Sequence, residues 1–156
     1  MIAAAFLALH LFDSIQTTTV HRHVRGWSVT ARSDKFTKGV TCSVDNGRME
    51  FRDDVLIFHL GRRAVTTDAV FRVDGGAVRS VHEATYDDQR RGYVRRGGPL
   101  ENPSDGDVAL PSFYVAGAKY VYIRPWRTAS IRWFDVSGFP DALALARRMN
   151  CPDIGP

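Results

Sequence analysis

Cysteine is scarce in this chain, and its scarcity excludes one common kind of site. The 156 residues contain two cysteines, Cys42 and Cys151, with no Cys-x-x-Cys spacing. This number and spacing exclude a zinc site built from cysteine pairs. Two interpretations remain: one disulfide, which requires an oxidising compartment, or two unrelated thiols of a cytoplasmic protein.

The motifs of the common enzyme classes are missing as well. The sequence has no Gly-x-Ser-x-Gly elbow, no phosphate-binding Gly-rich loop and no His-Glu-x-x-His motif. Lysine is rare, because only three of the 21 basic residues are lysine. Such an arginine excess often reflects a GC-rich genome, so the net charge of +4 does not by itself indicate nucleic-acid binding. We expect no cofactor, and a protein or envelope ligand rather than nucleic acid as the partner.

A hydrophobic run of transmembrane length is also lacking, so no transmembrane span is expected. The longest apolar stretch, residues 2–12, is interrupted only by His10. It is too short for a bilayer, which needs about 20 residues. Its length suits the apolar part of a signal peptide, although no basic residue precedes it. We assign residues 1–20 to a signal-peptide remnant or a docking helix, and residues 21–156 to a single β domain.

From Val24 onward, apolar and polar residues often alternate, which is the pattern of β-strands. Asn46-Gly47 is the preferred pair for a two-residue hairpin turn. The register set by that turn places Cys42 opposite Phe51, on the inward face. Further strands are predicted over 55–60, 68–76, 77–86, 113–123 and 130–136.

Residues 87–112 lack this pattern and are rich in glycine, proline and charged residues, which predicts a long loop. The predicted fold class is all-β, or β with one C-terminal helix. It comprises seven or eight antiparallel strands, arranged as a sandwich or a flattened barrel with the terminal helix docked on it.

The sequence ends in a pattern typical of an amphipathic helix over residues 138–150. Ser137 suits the N-cap, and Pro140 is tolerated in the first turn. A helix of about three turns is not stable alone in water, so we expect it to dock on the sheet. Docking would bring Cys151 to the core that Cys42 faces. We therefore predict a Cys42–Cys151 disulfide.

The histidines are the most site-like residues. His21 and His23 lie two apart, so they project from one face of a strand, as metal ligands do. They remain weak candidates, because nothing in the sequence selects a third ligand among His59, His82 and Asp87-Asp88. We expect no bound metal.

Two other functions are left open by the residues around the predicted loop. His59 or His82, near residues 87–112, would serve a hydrolase or a metal-dependent enzyme. The basic and aromatic residues of the loop would bind an anionic polymer. This possible ligand-binding set comprises Arg90, Arg91, Tyr93, Arg95 and Arg96.

Aromatic residues cluster late in the chain. Such residues in strands usually form core and cross-strand contacts. A shared exposed face for Tyr120 and Tyr122 would instead favour a sugar-binding platform. The cluster comprises Tyr114, Tyr120, Tyr122, Trp126 and Trp133.

Three stretches of the chain resemble the invasion-associated locus B proteins and related small exported proteins of alphaproteobacteria. They are Trp27-Ser-Val, the strand that bears Cys42, and FDVSGFPDALALARRMNC at residues 134–151. The resemblance implies an envelope or periplasmic β domain without known chemistry. We therefore predict a periplasmic or secreted, non-enzymatic domain that binds a partner or ligand, with a cytoplasmic protein as the alternative location.

Overall fold

The structure, a computed structural model, describes residues 17–35, 37–92, 105–127 and 129–152. Residues 1–16 and three predicted loop residues, Tyr93, Arg95 and Arg96, lie outside this part. The strands of the described part are Thr17–Val24 (β1), Trp27–Asp34 (β2), Val40–Asp45 (β3), Met49–Arg52 (β4), Val55–His59 (β5), Val70–Val73 (β6), Arg79–Ser80 (β7), Asp107–Pro111 (β8), Tyr120–Arg124 (β9) and Arg132–Asp135 (β10). The helices are Val81–Arg90 (α1) and Phe139–Arg148 (α2).

The strands form two antiparallel sheets that share a core. The first has six strands in the order β1-β2-β3-β4-β5-β8, and the second has four in the order β10-β9-β6-β7. Phe58 of the first sheet packs on Phe134 of the second, with ring centroids 5.0 Å apart. Arg48 also joins them, because its guanidinium carbon lies 4.8 Å from the ring centroid of Phe134. The predicted antiparallel sandwich with a C-terminal helix is confirmed, but the described part has ten strands instead of the seven or eight expected.

The β3–β4 hairpin forms as predicted, but with a longer turn. Asp45 pairs with Glu50 and Val44 with Phe51, so the register differs by two residues from the one expected for a two-residue turn. The cause is the side chain of Asn46, whose Oδ1 accepts from the backbone N–H groups of Arg48 and Met49 at 3.0 and 2.8 Å. A shift of two residues preserves which side chains face inward. The predicted inward face is therefore retained.

Helix α1 replaces the second half of the strand predicted over 77–86. Only Arg79–Ser80 is extended, and the helix follows at once. Ser80 is its N-cap: the Oγ atom accepts from the N–H of Glu83 at 3.3 Å. Ser-x-x-Glu is the capping-box pattern. Because α1 reaches Arg90 and β8 begins at Asp107, the predicted loop over 87–112 is wrong at both of its ends.

Two further boundaries differ from prediction. β1 begins at Thr17, so the last four residues assigned to the N-terminal segment belong to the first sheet. The strand predicted over 113–123 is confined to β9, because residues 112–114 form a 3₁₀ turn and Gly117 adopts a φ of +77°. The strand predicted over 130–136 corresponds to β10.

Helix α2 lies against β1, β2 and β3 and completes the core. Phe139 inserts between Trp27 and Phe51, with both pairs of ring centroids 5.4 Å apart. The predicted N-cap is wrong: Gly138 occupies that position, and Ser137 instead bonds the carboxylate of Asp135. None of the helices in the described ranges is long and apolar enough to cross a membrane.

The predicted disulfide is confirmed. Cys42 of β3 and Cys151, three residues after α2, are bonded, with their Cα atoms 5.7 Å apart. Cys151 is buried and belongs to the main core cluster. The bond therefore fixes the end of α2 to the first sheet.

Candidate functional site

A cleft of about 800 Å³ opens at one end of the sandwich. One wall is the loop after β5, residues 60–65, and the other is the connection between β9 and β10. Because the two walls come from different sheets, the cleft forms only when the sandwich closes. We call it the arginine cleft, after Arg62, Arg63 and Arg132 in its lining.

Glycine contacts hold the first wall in place. Leu60 donates its N–H to the carbonyl of Gly106 at 2.8 Å, just before β8. A Cβ atom at position 106 would overlap the carbonyl oxygen of Gly61. Both glycines adopt positive φ, +96° at Gly61 and +82° at Gly106, which other residues rarely do. The loop therefore needs glycine at both positions.

The second wall turns tightly between β9 and β10. Ala129 donates its N–H to the carbonyl of Trp126 at 3.0 Å, which closes the turn. Pro125 is buried, whereas 42% of Trp126 is exposed. Arg132 begins β10 opposite Ile123, so its backbone is fixed by the sheet. The turn after β9 thus carries the indole of the cleft, and the first residue of β10 carries one of its guanidinium groups.

The arginines of the cleft have no acidic partners in the described part of the chain. No ion pair or hydrogen bond joins the side chain of Arg62, Arg63 or Arg132 to a described residue. Two other exposed arginines form ion pairs, Arg25 with Asp141 at 2.7 Å and Arg90 with Asp87 at 3.6 Å. Three free guanidinium groups beside a largely apolar wall leave a cationic site without an internal counterion. Such a site favours an anion that carries an apolar portion.

The outer face of the second sheet adjoins the arginine cleft. Tyr120, Tyr122 and Trp133 share this face, as the sugar-platform interpretation required. However, the guanidinium of Arg72 lies 4.9 Å from the ring centroid of Tyr122, and the ammonium of Lys119 lies 5.4 Å from that of Tyr120. The two tyrosine rings are therefore covered by cations, which disfavours stacking of a sugar on them.

The two histidines of the enzyme alternative are not brought into one cleft. His59 Nδ1 is hydrogen-bonded to Asp107 Oδ1 at 2.9 Å. His82 lines a separate polar depression of about 540 Å³ with Glu83 and Ser80. Because α1 is a helix, His82 and Glu83 lie on adjacent parts of its surface rather than on opposite faces of a strand. The hydroxyl of Ser80 caps the helix there.

His21 and His23 share the exposed face of β1, as predicted. Each Nδ1 atom is hydrogen-bonded to a hydroxyl of β2, His21 to Thr30 at 2.9 Å and His23 to Ser28 at 3.0 Å. Within the described ranges no group of three or more His, Cys, Asp or Glu side chains is arranged to hold a metal ion.

Two residues of the predicted ligand-binding loop belong to α1 instead. Arg90 is in its last turn, 3.6 Å from the carboxylate of Asp87, and Arg91 is its C-cap. The other three, Tyr93, Arg95 and Arg96, lie outside the described residues.

A buried carboxylate lies under α1. Asp88 is 4% exposed, and its Oδ2 atom has no hydrogen-bond partner among the described residues. The pKa of Tyr114 is raised, mainly by burial and to a smaller extent by a hydrogen bond with Asp88. The Tyr114 hydroxyl also accepts from Arg79 at 2.6 Å, which opposes that rise. Because Asp88 is buried on the inner side of α1 and Tyr114 is hydrogen-bonded to Arg79, we assign these residues to the packing of the helix.

The sequence interpretation missed the residues of the arginine cleft. The available signal was Gly61-Arg62-Arg63 directly after a continuous apolar strand, where the chain must leave the core.

No family model matches this chain, and comparison with curated proteins and with solved structures gives no significant match.

Proposed function

We propose that this protein is an exported, non-enzymatic domain of the cell envelope that binds an anionic ligand in the arginine cleft. The observation that carries the proposal is the set of three exposed guanidinium groups around a largely apolar cleft. None of them has an acidic partner among the described residues.

The chemistry of the lining sets the ligand class. A guanidinium binds a carboxylate or phosphate through two parallel hydrogen bonds, and such charge-assisted bonds are about twice as strong as neutral ones. Trp126, Val65 and Leu60 supply apolar contact area beside these groups. The best ligand therefore joins a phosphate or carboxylate to a hydrocarbon or ring.

Two features support export. The Cys42–Cys151 disulfide is of the kind that persists in oxidising compartments. The resemblance of residues 134–151 to small exported envelope proteins agrees with it.

The test compares two amphiphiles with the same tail and different headgroups. We expect octyl phosphate, below its micelle concentration, to bind in titration calorimetry, and octyl glucoside to bind far more weakly. Arg62→Ala with Arg63→Ala removes charge-assisted hydrogen bonds and is expected to weaken octyl phosphate binding at least about tenfold. Arg32→Ala with Arg52→Ala is the control, because it removes the same charge from exposed positions on β2 and β4. Equal binding of both amphiphiles, or equal loss in both double variants, would contradict the proposal.

A further inference from the structure

Exposed apolar side chains surround the arginine cleft. Val65 is 58% exposed and Trp126 42% exposed, and both line it. Ile131, just before β10 at the same end, is 60% exposed and lines a small depression on the outer face of the second sheet, next to Arg124. Each belongs to a loop or a strand end rather than to a sheet centre. Several large apolar side chains exposed in one region indicate a surface that binds a protein, a membrane or a ligand.

Arginines of this end extend beyond the cleft. Arg124, at the end of β9, and Arg127, in the next turn, are exposed and line the neighbouring polar depression. Together with Arg62, Arg63 and Arg132 they give five cationic groups at the same end as the exposed apolar groups. Within the described ranges none of the five forms an ion pair.

The positive charge is concentrated in the cleft itself. Its described lining contains three arginines and no acidic residue. The neighbouring depression is mixed in charge, because Asp68 and Glu83 line it together with Arg124 and Arg127. A local concentration of positive charge attracts a negatively charged partner.

The combination of side chains favours a lipid surface over an acidic protein. Tryptophan is enriched at the level of lipid headgroups, where its ring is partly apolar and partly hydrated. Arginine places its charge among phosphates while its stem contacts apolar groups. Separate apolar side chains on loops, with arginines between them, suit insertion among headgroups, whereas a protein interface is centred on a contiguous packed patch.

From these observations, and resting on the proposed function of the arginine cleft, we infer that its ligand is the headgroup of an anionic phospholipid. The cleft end of the sandwich docks on the surface of an anionic bilayer. Trp126, Val65 and Ile131 enter the headgroup layer, and the five arginines contact lipid phosphates.

The experiment measures binding of the whole protein to vesicles by sedimentation. We expect binding to vesicles that contain phosphatidylglycerol, about tenfold or more weaker binding to pure phosphatidylcholine, and weakening as salt is added. Trp126→Ala, and separately Arg62→Ala with Arg63→Ala, are each expected to reduce binding severalfold. Tyr86→Ala is the control for the tryptophan, because Tyr86 is 63% exposed and does not line the cleft. Arg32→Ala with Arg52→Ala is again the control for charge.

The outcomes separate this inference from the proposed function. Binding of octyl phosphate without binding of vesicles would overturn the bilayer inference and leave the proposed function intact. Binding of vesicles that is unchanged by the tryptophan and arginine variants would overturn it too, since another surface would be responsible. Equally strong binding of polyglutamate, or of a single-stranded oligonucleotide, would show a general polyanion site and would also overturn it. Failure of both octyl phosphate and vesicles to bind would overturn both proposals.

Discussion

Asp135 joins the last strand to helix α2 through one side chain. Its Oδ1 atom accepts from both the backbone N–H and the hydroxyl of Ser137, at 2.9 and 2.6 Å. These two hydrogen bonds, with a smaller contribution from Lys119, lower the pKa of the Asp135 carboxyl from 3.8. The helix begins one residue later, with Gly138 rather than Ser137 at the N-cap. One residue pair thus sets the direction in which the chain leaves the sheet.

The lowered pKa of Asp135 predicts a pH dependence of stability. A carboxyl with a depressed folded-state pKa contributes stability above its unfolded pKa and loses it as the pH falls through the folded value. Asp135→Asn is therefore expected to reduce the loss of stability on acidification below about pH 4. Urea unfolding at a series of pH values measures this, with Asp53→Asn as the matched exposed control. The same acid sensitivity in Asp135→Asn and the unchanged protein would contradict it.

At the scale of elements, the sequence predicted best where two local signals agreed. The β3–β4 hairpin had both an Asn-Gly turn and an alternating pattern, and its inward face is as expected. The C-terminal helix had a helical spacing of apolar residues, and Phe139, Ala142 and Ala146 are buried. In α1 the signals conflicted, because residues 77–86 alternate like a strand.

The capping pattern decided the outcome in α1. Ser80 and Glu83 favour a helix start, and the residues buried along α1, Ala84, Thr85 and Asp88, recur at helical rather than strand spacing. This helical pattern is difficult to recognise in the sequence because one of the buried positions is Asp88, which is not apolar.

Close approach of α2 to the first hairpin predicts a sensitive position. A Cβ atom on Gly138 would lie 2.8 Å from the carbonyl oxygen of Arg25 and 3.0 Å from the ring of Trp27. Gly138→Ala is therefore expected to destabilise the protein by about 1–3 kcal/mol, because the helix start must shift. Gly75→Ala is the control, since nothing lies within 4 Å of its added Cβ. Chemical unfolding compares the two; equal stabilities would show that α2 is not held this tightly.

At the scale of the whole molecule, the arginine cleft could not be predicted from the sequence. Its two walls, residues 60–65 and the connection that contains Trp126, are separated by some sixty residues of chain and belong to different sheets. Their meeting depends on how the sheets pack, which local patterns do not specify. Arg62 and Arg63 alone look like ordinary exposed arginines. The disulfide was predictable because only one pairing of two cysteines exists.

The disulfide predicts a large and non-additive effect on stability. It joins residues 109 positions apart, and the chain-entropy treatment gives about 4–5 kcal/mol for a loop of this length. Cys42→Ser and Cys151→Ser are each expected to lose a few kcal/mol, and the double variant no more than either alone. Unfolding curves measure these losses. Additive losses, or two free thiols in denatured and unreduced protein, would contradict the bond.

The Cys42–Cys151 bond also makes most of the protein a closed ring. Strands β4 to β10 and both helices lie between the two cysteines in sequence. Of the strands in the described part of the chain, only β1 and β2 lie wholly outside. A protease that cuts one peptide bond anywhere within that ring produces two pieces that remain one covalent molecule. In the cleaved domain, the end of α2 remains covalently bonded to β3 until the disulfide is reduced. As long as the disulfide is intact, a single cleavage within the ring would thus not release a fragment.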